Sequence, residues 1–478
     1  MGRRNKELPL LEQVEIQDAG AEGMAVARVD GLVVFVPFVV PGDVVDIQLY
    51  KKKKNYAEGR AVHFHRQSPL RVPQVCPHFG VCGGCKWQTM SYEAQLEAKQ
   101  RQVRDNLERL GGIDCSAMRP ICGSEHIHYY RNKLEYTFST RAWRTAEQLA
   151  SGAELPQQGA LGFHIPQLFD KVLDIEHCAL QAEPSNAIRL AVRDHALQHE
   201  LPFYDIRNHT GFLRNLVIRN TSTGDWMVIV IVAEEDPDRL FPLLDMLHDR
   251  FPQITSLQYI VNNKMNDSYS DLEVHTYRGN DHIEEVMTPY RPEAQPDLHF
   301  IINPKSFYQT NSAQAQRLYS FVAELAELRP TDTLYDLYTG TGTIALFLAA
   351  QVKKVVGIEY VEEAIADARI NAQRNGFTNT QFYAGDMAKV LTADFIAANG
   401  RPDVVVTDPP RSGMHELVIA QLLQAAPRKI VYVSCNPATQ ARDLKLLGER
   451  YDIRRIQPVD MFPHTQHVEN IAELVFKS

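Results

Sequence analysis

A chain of 478 residues is longer than one hydrophobic core usually organises, so two or three domains are expected. Its 44% hydrophobic and 23% charged residues are ordinary for globular proteins and exclude fibrous and wholly disordered classes. A formal net charge of -9 argues against a uniformly basic nucleic-acid coat but leaves room for local basic patches. No apolar run approaches the roughly 18 residues of a membrane span, and the start MGRRNKELPLLEQ has no apolar stretch of the kind a signal peptide needs. A cytoplasmic protein without membrane contact, working as a monomer, is the expectation. Its seven cysteines would stay reduced there, so clustered ones point to metal binding or catalysis rather than disulfides.

From Val14 to Arg66, short alternating segments broken by Gly and Pro, as in GLVVFVPFVVPGDVVDIQLY, predict a small β-barrel. Between Tyr50 and Arg71 the seven basic residues Lys51, Lys52, Lys53, Lys54, Arg60, Arg66 and Arg71 meet one acid, Glu58. Such a patch either attracts phosphate or is a solvated loop. Pro69 to Gln88 is rich in Cys, Gly and Pro and must be held by something other than a core. Thiolates as close as Cys76, Cys82 and Cys85 can share one metal centre, and their spacing leaves an iron-sulfur cluster and zinc both open.

Ser91 can cap a helix whose apolar positions Leu96, Val103, Leu107 and Leu110 recur until Gly111 and Gly112 end it. From about Arg119 to Pro289, the β-like segments KLEYTFS, GFLRNLVIR and DWMVIVIVAEE alternate with helical ones and predict a central α+β domain. From about Asp297, strand and helix alternate in the manner of a doubly wound α/β domain, in which ligands bind at the carboxyl ends of the strands. The expected domains are 7–68, 69–296 and 297–478, with helix 91–112 a candidate to pack on the last.

Those strand ends carry the chemistry. The loop Asp336 to Thr343, DLYTGTGT, places Gly340 and Gly342 where a ligand must approach the backbone closely. Glu359, ending the next strand, can hold ribose hydroxyls, and Asp386 after the third can accept from an adenine amino group. Gly340 to Ala345 also fits G-x-G-x-x-A, which keeps a dinucleotide-binding oxidoreductase in view. The fourth strand ends in Asp408-Pro409-Pro410-Arg411, where two prolines present the carboxylate rigidly. The fifth ends in Ser434-Cys435-Asn436-Pro437, whose polar neighbours make Cys435 a nucleophile candidate.

Together with Phe307-Tyr308-Gln309-Thr310-Asn311 and the C-terminal HVEN, the segments DLYTGTG, GIEYV, DPPR and SCNP resemble the S-adenosylmethionine-dependent RNA uracil-5-methyltransferases over Asn303 to Ser478. Thr339 departs from the family's usual L-x-C-G-x-G, at a position that is not catalytic. Carbon 5 of uracil is a poor nucleophile, so a thiolate must first add to carbon 6, and a base must later remove the carbon 5 proton. The resemblance implies Cys435 as that nucleophile and Glu469 as that base. It implies Gln309, Tyr338, Gly340, Glu359, Asp386 and Asp408 at the S-adenosyl-L-methionine site, with Asp408 also meeting the uracil edge. Phe307 is a candidate platform for a flipped base.

Family members with the upstream cysteine pattern hold a 4Fe-4S cluster. The resemblance therefore implies Cys76, Cys82, Cys85 and the distant Cys178 as its ligands, with Cys115 and Cys122 structural. The N-terminal barrel resembles a TRAM domain, an RNA-binding module of the ribosomal branch. Arg131, Lys133, Arg214 and Arg219 match basic motifs expected to grip RNA backbone. The implied reaction is methyl transfer to carbon 5 of a uridine in 23S ribosomal RNA, with transfer RNA as the alternative substrate. A cytosine-5 enzyme would carry a cysteine where Arg411 and Ser412 stand, and an oxidoreductase explains neither Cys435 nor the cysteine cluster. An iron-sulfur RNA-binding protein without catalysis is the remaining alternative, and intact Cys435 and Glu469 speak against it.

Overall fold

The computed structural model describes residues 8–151, 159–290 and 296–477; the expected outermost domain residues, 7 and 478, lie outside them. Period-two burial builds the first unit. Strand Val44–Lys52 alternates half-buried and buried side chains as far as Leu49, and Ile16, Ala27, Val34, Val36, Val45, Ile47 and Ala57 form a core of its own. Six strands make one sheet, antiparallel except where Leu32–Val36 runs parallel to Tyr56–Arg66. Lys52, Lys53 and Lys54 are exposed at the turn between its two longest strands. Arg71, by contrast, is spent on structure, paired at 2.7 Å with the buried Asp43.

The central unit is a seven-stranded sheet, and its strand Leu213–Asn220 is buried on both faces for almost its whole length. That overturns one expectation. Arg214 and Arg219 are about 1% and 3% exposed and cannot grip RNA. Arg214 donates to the carbonyls of Asn262, Lys264 and Asn266, and Arg219 to those of Asn303, Pro304 and Ser306. A buried guanidinium must satisfy its donors internally, and these two staple loops to the sheet.

Seven strands form the catalytic sheet: β1 (Thr333–Leu337), β2 (Lys354–Glu359), β3 (Thr380–Ala384), β4 (Val404–Thr407), β5 (Lys429–Ser434), β6 (Tyr451–Val459) and β7 (Glu469–Phe476). Their order is β3-β2-β1-β4-β5-β7-β6, with β1 to β5 parallel and β7 inserted antiparallel between β5 and β6. The order reverses between β1 and β4, the place where such sheets open a crevice at their carboxyl edge. A hairpin of Ile283–Met287 and Leu298–Ile302 packs into this domain's core, so the expected start at 297 falls inside the hairpin.

The helix after the cysteine loop, α1 (Tyr92–Asn106), is capped by Ser91, whose hydroxyl accepts from the Ala94 N–H at 3.3 Å. A wider π turn over Leu107–Gly111 follows, and Gly112 ends it in the left-handed region. That wider turn shifts the phase of the apolar stripe: Val103 and Leu107 are fully buried, whereas Leu110 is exposed, against the expectation for it. The turn lies against helix Pro437–Leu447 of the catalytic domain. A Cβ at Gly111 would stand 3.1 Å from the Ala441 carbonyl, so glycine eases this close approach.

Candidate active site

Each chemical motif emerges at the carboxyl edge of the catalytic sheet. After β1 the chain enters positive φ at Tyr338, Gly340 and Gly342, at 64°, 55° and 80°. A Cβ on Gly342 would meet that of Ala368 at 3.0 Å as well as adopt a strained φ. The Asp336 carboxylate accepts from the Thr339 hydroxyl at 2.5 Å, fixing the loop's first turn. Glu359, ending β2, accepts from the Gly340 N–H at 3.1 Å and from those of Tyr360 and Val361. Burial, then the charges of Asp443, Asp386 and Glu359, push the Tyr338 phenol up to about 12. Asp386 also caps the short helix Met387–Val390, a structural duty its sequence position did not announce.

Asp408 follows β4, and its N–H donates to the Leu337 carbonyl of β1 at 3.3 Å. The DPPR and SCNP loops are tied together, since Asn436 and Thr439 both donate to the Arg411 carbonyl, at 2.9 and 3.1 Å. Asn436 caps helix Pro437–Leu447, which starts one residue after it and holds the turn around Cys435. On the neighbouring strand Ser434 of β5 pairs with Asn470 of β7. Cys435 and Glu469 are each one residue further along, so the register sets the thiol and the carboxyl side by side.

Electrostatics follow from this crowding. Burial, then the Glu359 charge, pushes Asp336 up to about 7. Burial and Asp336 raise Asp408, and burial and Asp408 raise Glu469, with Arg411 opposing. Burial, Glu469 and Asp408 push the Cys435 thiol up to about 11. The free site therefore holds the thiol protonated at neutral pH, beside carboxyl groups of raised basicity that can accept its proton. Tyr319, on helix Ser312–Ala326, lies within the field of all three carboxyls and is a nearby group that motif reading did not mark.

Gln309 sits on the loop leading to that helix, where Asn132 donates to its carbonyl at 2.9 Å. Its side chain makes no hydrogen bond among the described residues, and Phe307, two residues earlier, is 70% exposed.

A separate cavity of about 630 Å³ is lined by Cys76, Cys82, Cys85 and Cys178, with Arg131, Lys133 and Phe307 along its wall. All four cysteines are free. The Cys178 N–H donates to the Asn186 side chain at 2.8 Å, and the Glu176 N–H donates to His78 at 2.9 Å, joining segments a hundred residues apart. Burial pushes Cys85 and Cys178 up to about 12, and the neighbouring thiols add to it. Among the described residues no group of three or more His, Cys, Asp or Glu is gathered to hold a metal ion. Cys115 lies in the catalytic core, and the backbone of Cys122 bridges to Val459.

Residues 279–475 match the family model described as tRNA (Uracil-5-)-methyltransferase, and residues 12–62 match the TRAM domain. A protein of Bacteroides thetaiotaomicron named as an uncharacterized RNA methyltransferase is 54% identical over 457 residues, covering 95% of this chain and 99% of the relative. The chain belongs to the RNA uracil-5-methyltransferase family. A similarly named protein of Chlorobaculum tepidum is 39% identical, covering 94% of this chain and 91% of its own length. The crystal structure of the Pyrococcus abyssi tRNA (uracil-54, C5)-methyltransferase in complex with S-adenosyl-L-homocysteine superposes with a TM-score of 0.72 at 29% identity, covering 97% of this chain and 100% of that one. This family member is thus an S-adenosylmethionine-dependent RNA methyltransferase with a TRAM domain at its N-terminal side. No helix among its described residues is long and apolar enough to cross a membrane.

The raised Cys435 thiol gives a test. At pH 8 iodoacetamide is expected to modify Cys435 more slowly than an ordinary exposed thiol. The pH at which the rate rises should fall in Glu469→Gln, because the negative charge opposing thiolate formation is gone. Peptide mass mapping across a pH series reads this, and an unchanged profile in the variant would contradict the electrostatic account.

Proposed function

We propose that this enzyme makes 5-methyluridine in 23S ribosomal RNA through a covalent adduct on Cys435. The observation that carries the reading is the register of β5 and β7, which sets a thiol and a basic carboxyl side by side beside Asp408. Cys435 gives its proton to a neighbouring carboxylate, and its sulfur adds to carbon 6 of uracil, moving the carbon 5–carbon 6 electron pair into an enolate. S-Adenosylmethionine supplies the methyl group that carbon 5 receives. Glu469, in carboxylate form, then takes the carbon 5 proton, the double bond re-forms, and the Cys435 thiolate leaves. Asp408 orients the uracil edge. Gln309, Tyr338, Gly340, Glu359, Asp386 and Asp408 hold S-adenosylmethionine, and its adenosine hydroxyls suit the Glu359 carboxylate at the end of β2.

The ribosomal substrate rests on the sequence resemblance to the ribosomal branch, and the exposed Lys52 to Lys54 of the TRAM domain offer an RNA backbone a basic turn. The name of the Pyrococcus abyssi protein favours transfer RNA as the second reading. Mass-spectrometric mapping of 5-methyluridine in both RNAs from cells lacking the gene decides between them. Loss of one 23S site with intact transfer RNA is expected, and the reverse would move the substrate to transfer RNA.

In this reading the four cysteines that line the cavity would hold a 4Fe-4S cluster. Each iron of such a cluster takes one thiolate, so its ligands stand further apart than those of a single ion. A second observation supports negative charge there: Arg189 is fully buried, leaves Nε and Nη1 without partners, and donates to the Glu176 carbonyl two residues before Cys178. Anaerobically purified protein should be brown and lose iron and acid-labile sulfide on replacing Cys76, Cys82, Cys85 or Cys178 by Ser. Stoichiometric zinc without sulfide would contradict this.

A further inference from the structure

Helix α1 belongs to the N-terminal half of the chain, yet one stripe of it, Tyr92, Gln95 and Lys99, is bonded to the loop Asp460–His464 that leads into β7. Tyr92 donates to one Asp460 oxygen at 2.9 Å, and Lys99 to the other at 2.6 Å and to the Phe462 carbonyl at 3.0 Å. The spacings of three and four residues put all three side chains on one helix face. Gln95 and Lys99 are fully buried.

His464 is the strained point of that loop. It is not glycine, yet its φ is 66°, a conformation that persists only when its surroundings impose it. Its N–H donates to the Gln95 side-chain oxygen at 2.8 Å, and its Nδ1 lies 3.2 Å from the Gln95 amide nitrogen. Its carbonyl accepts from the Lys86 and Trp87 N–H groups at 2.8 and 3.1 Å, immediately after Cys85. The Gln95 amide also reaches the carbonyls of Trp87 and Met90, so one side chain ties together the cysteine loop, α1 and the strained turn. From there the chain is short and internally bonded: Thr465 N–H to Phe462, His467 N–H to the Thr465 hydroxyl, then Glu469.

We propose that Gln95 is a positioning residue for the proton-removal step: it locks His464 in its left-handed turn and thereby sets where Glu469 stands against Cys435. The proposal rests on the roles given above to those two residues. Gln95 touches neither substrate nor reacting atoms. A displacement of ~1 Å at a reacting group can cost about a hundredfold in rate. Loss of the lock should therefore act on the step that Glu469 performs and leave binding of RNA and S-adenosylmethionine alone.

The test uses the full chain, bulk RNA from the deletion strain and labelled S-adenosylmethionine. Gln95→Leu should lower kcat by about tenfold or more with the KM for RNA within about twofold. It should also accumulate a methylated protein–RNA complex that survives denaturing gel electrophoresis, as Glu469→Gln should. Gln95→Glu, whose protonated carboxyl keeps an acceptor and one donor, should recover most of kcat. If Gln95→Leu does not fold, Gln95→Met, which keeps the side chain's length but neither donor nor acceptor, should show the same fall in kcat with the same accumulation. A loss of kcat without accumulation, a parallel change in KM, or unchanged kinetics would overturn the proposal. No covalent complex in the wild type or in Glu469→Gln would overturn the reading on which it rests, and this inference with it.

Discussion

Three carboxyl groups, Asp336, Asp408 and Glu469, are drawn to one sheet edge with too little water to ionise freely. Like charges repel far more strongly in a buried, weakly polarisable site than in water, so each carboxyl pushes its neighbour up. Desolvation adds to this, and it is the largest cause at all three. The crowding makes these groups better bases than ordinary carboxylates and keeps the adjacent thiol protonated until a substrate arrives. The sheet order enforces it, because Asp336 and Asp408 come from neighbouring strands and the antiparallel β7 returns Glu469 beside β5.

Such an edge must be held from outside, and much of the holding comes from the other half of the chain. The Lys99–Asp460 pair is fully buried on both sides. Removing one partner of such a pair costs about 3–5 kcal/mol, because the other charge is left uncompensated. With Tyr92 and Gln95 it fastens the loop ahead of β7, while Asn132 and Arg219 fasten the loop that carries Phe307 and Gln309. The catalytic domain is completed by its neighbours.

How legible this was in the sequence depended on where each residue's partners lie. Strand ends are local, so DPPR, SCNP and the glycine loop were visible at once, and the doubly wound reading followed from alternating strands and helices. Cys178 stands 93 residues after Cys85, and only the family resemblance joined it to the cavity that both line. Arg214 and Arg219 misled because they interrupt an apolar strand as exposed basic residues would. A run buried on both faces was the warning that they bond internally. Leu110 failed because a π turn breaks helical phase without any sequence mark. Gln95 and Lys99 were unreadable for a related reason: hydropathy assigns polar residues to the outside of a helix, and only the partner loop, 361 to 369 residues away, reverses that.

The whole reaction depends on Cys435 adding to carbon 6 of the target base, and one measurement reaches that step directly. An RNA carrying 5-fluorouridine at the methylated position cannot lose its carbon 5 substituent as a proton, so the adduct should lock after methyl transfer. Digestion and mass analysis of the complex formed with S-adenosylmethionine should find the methylated fluorouridine on the peptide containing Cys435. An adduct on another residue, or rapid turnover without any adduct, would contradict the account.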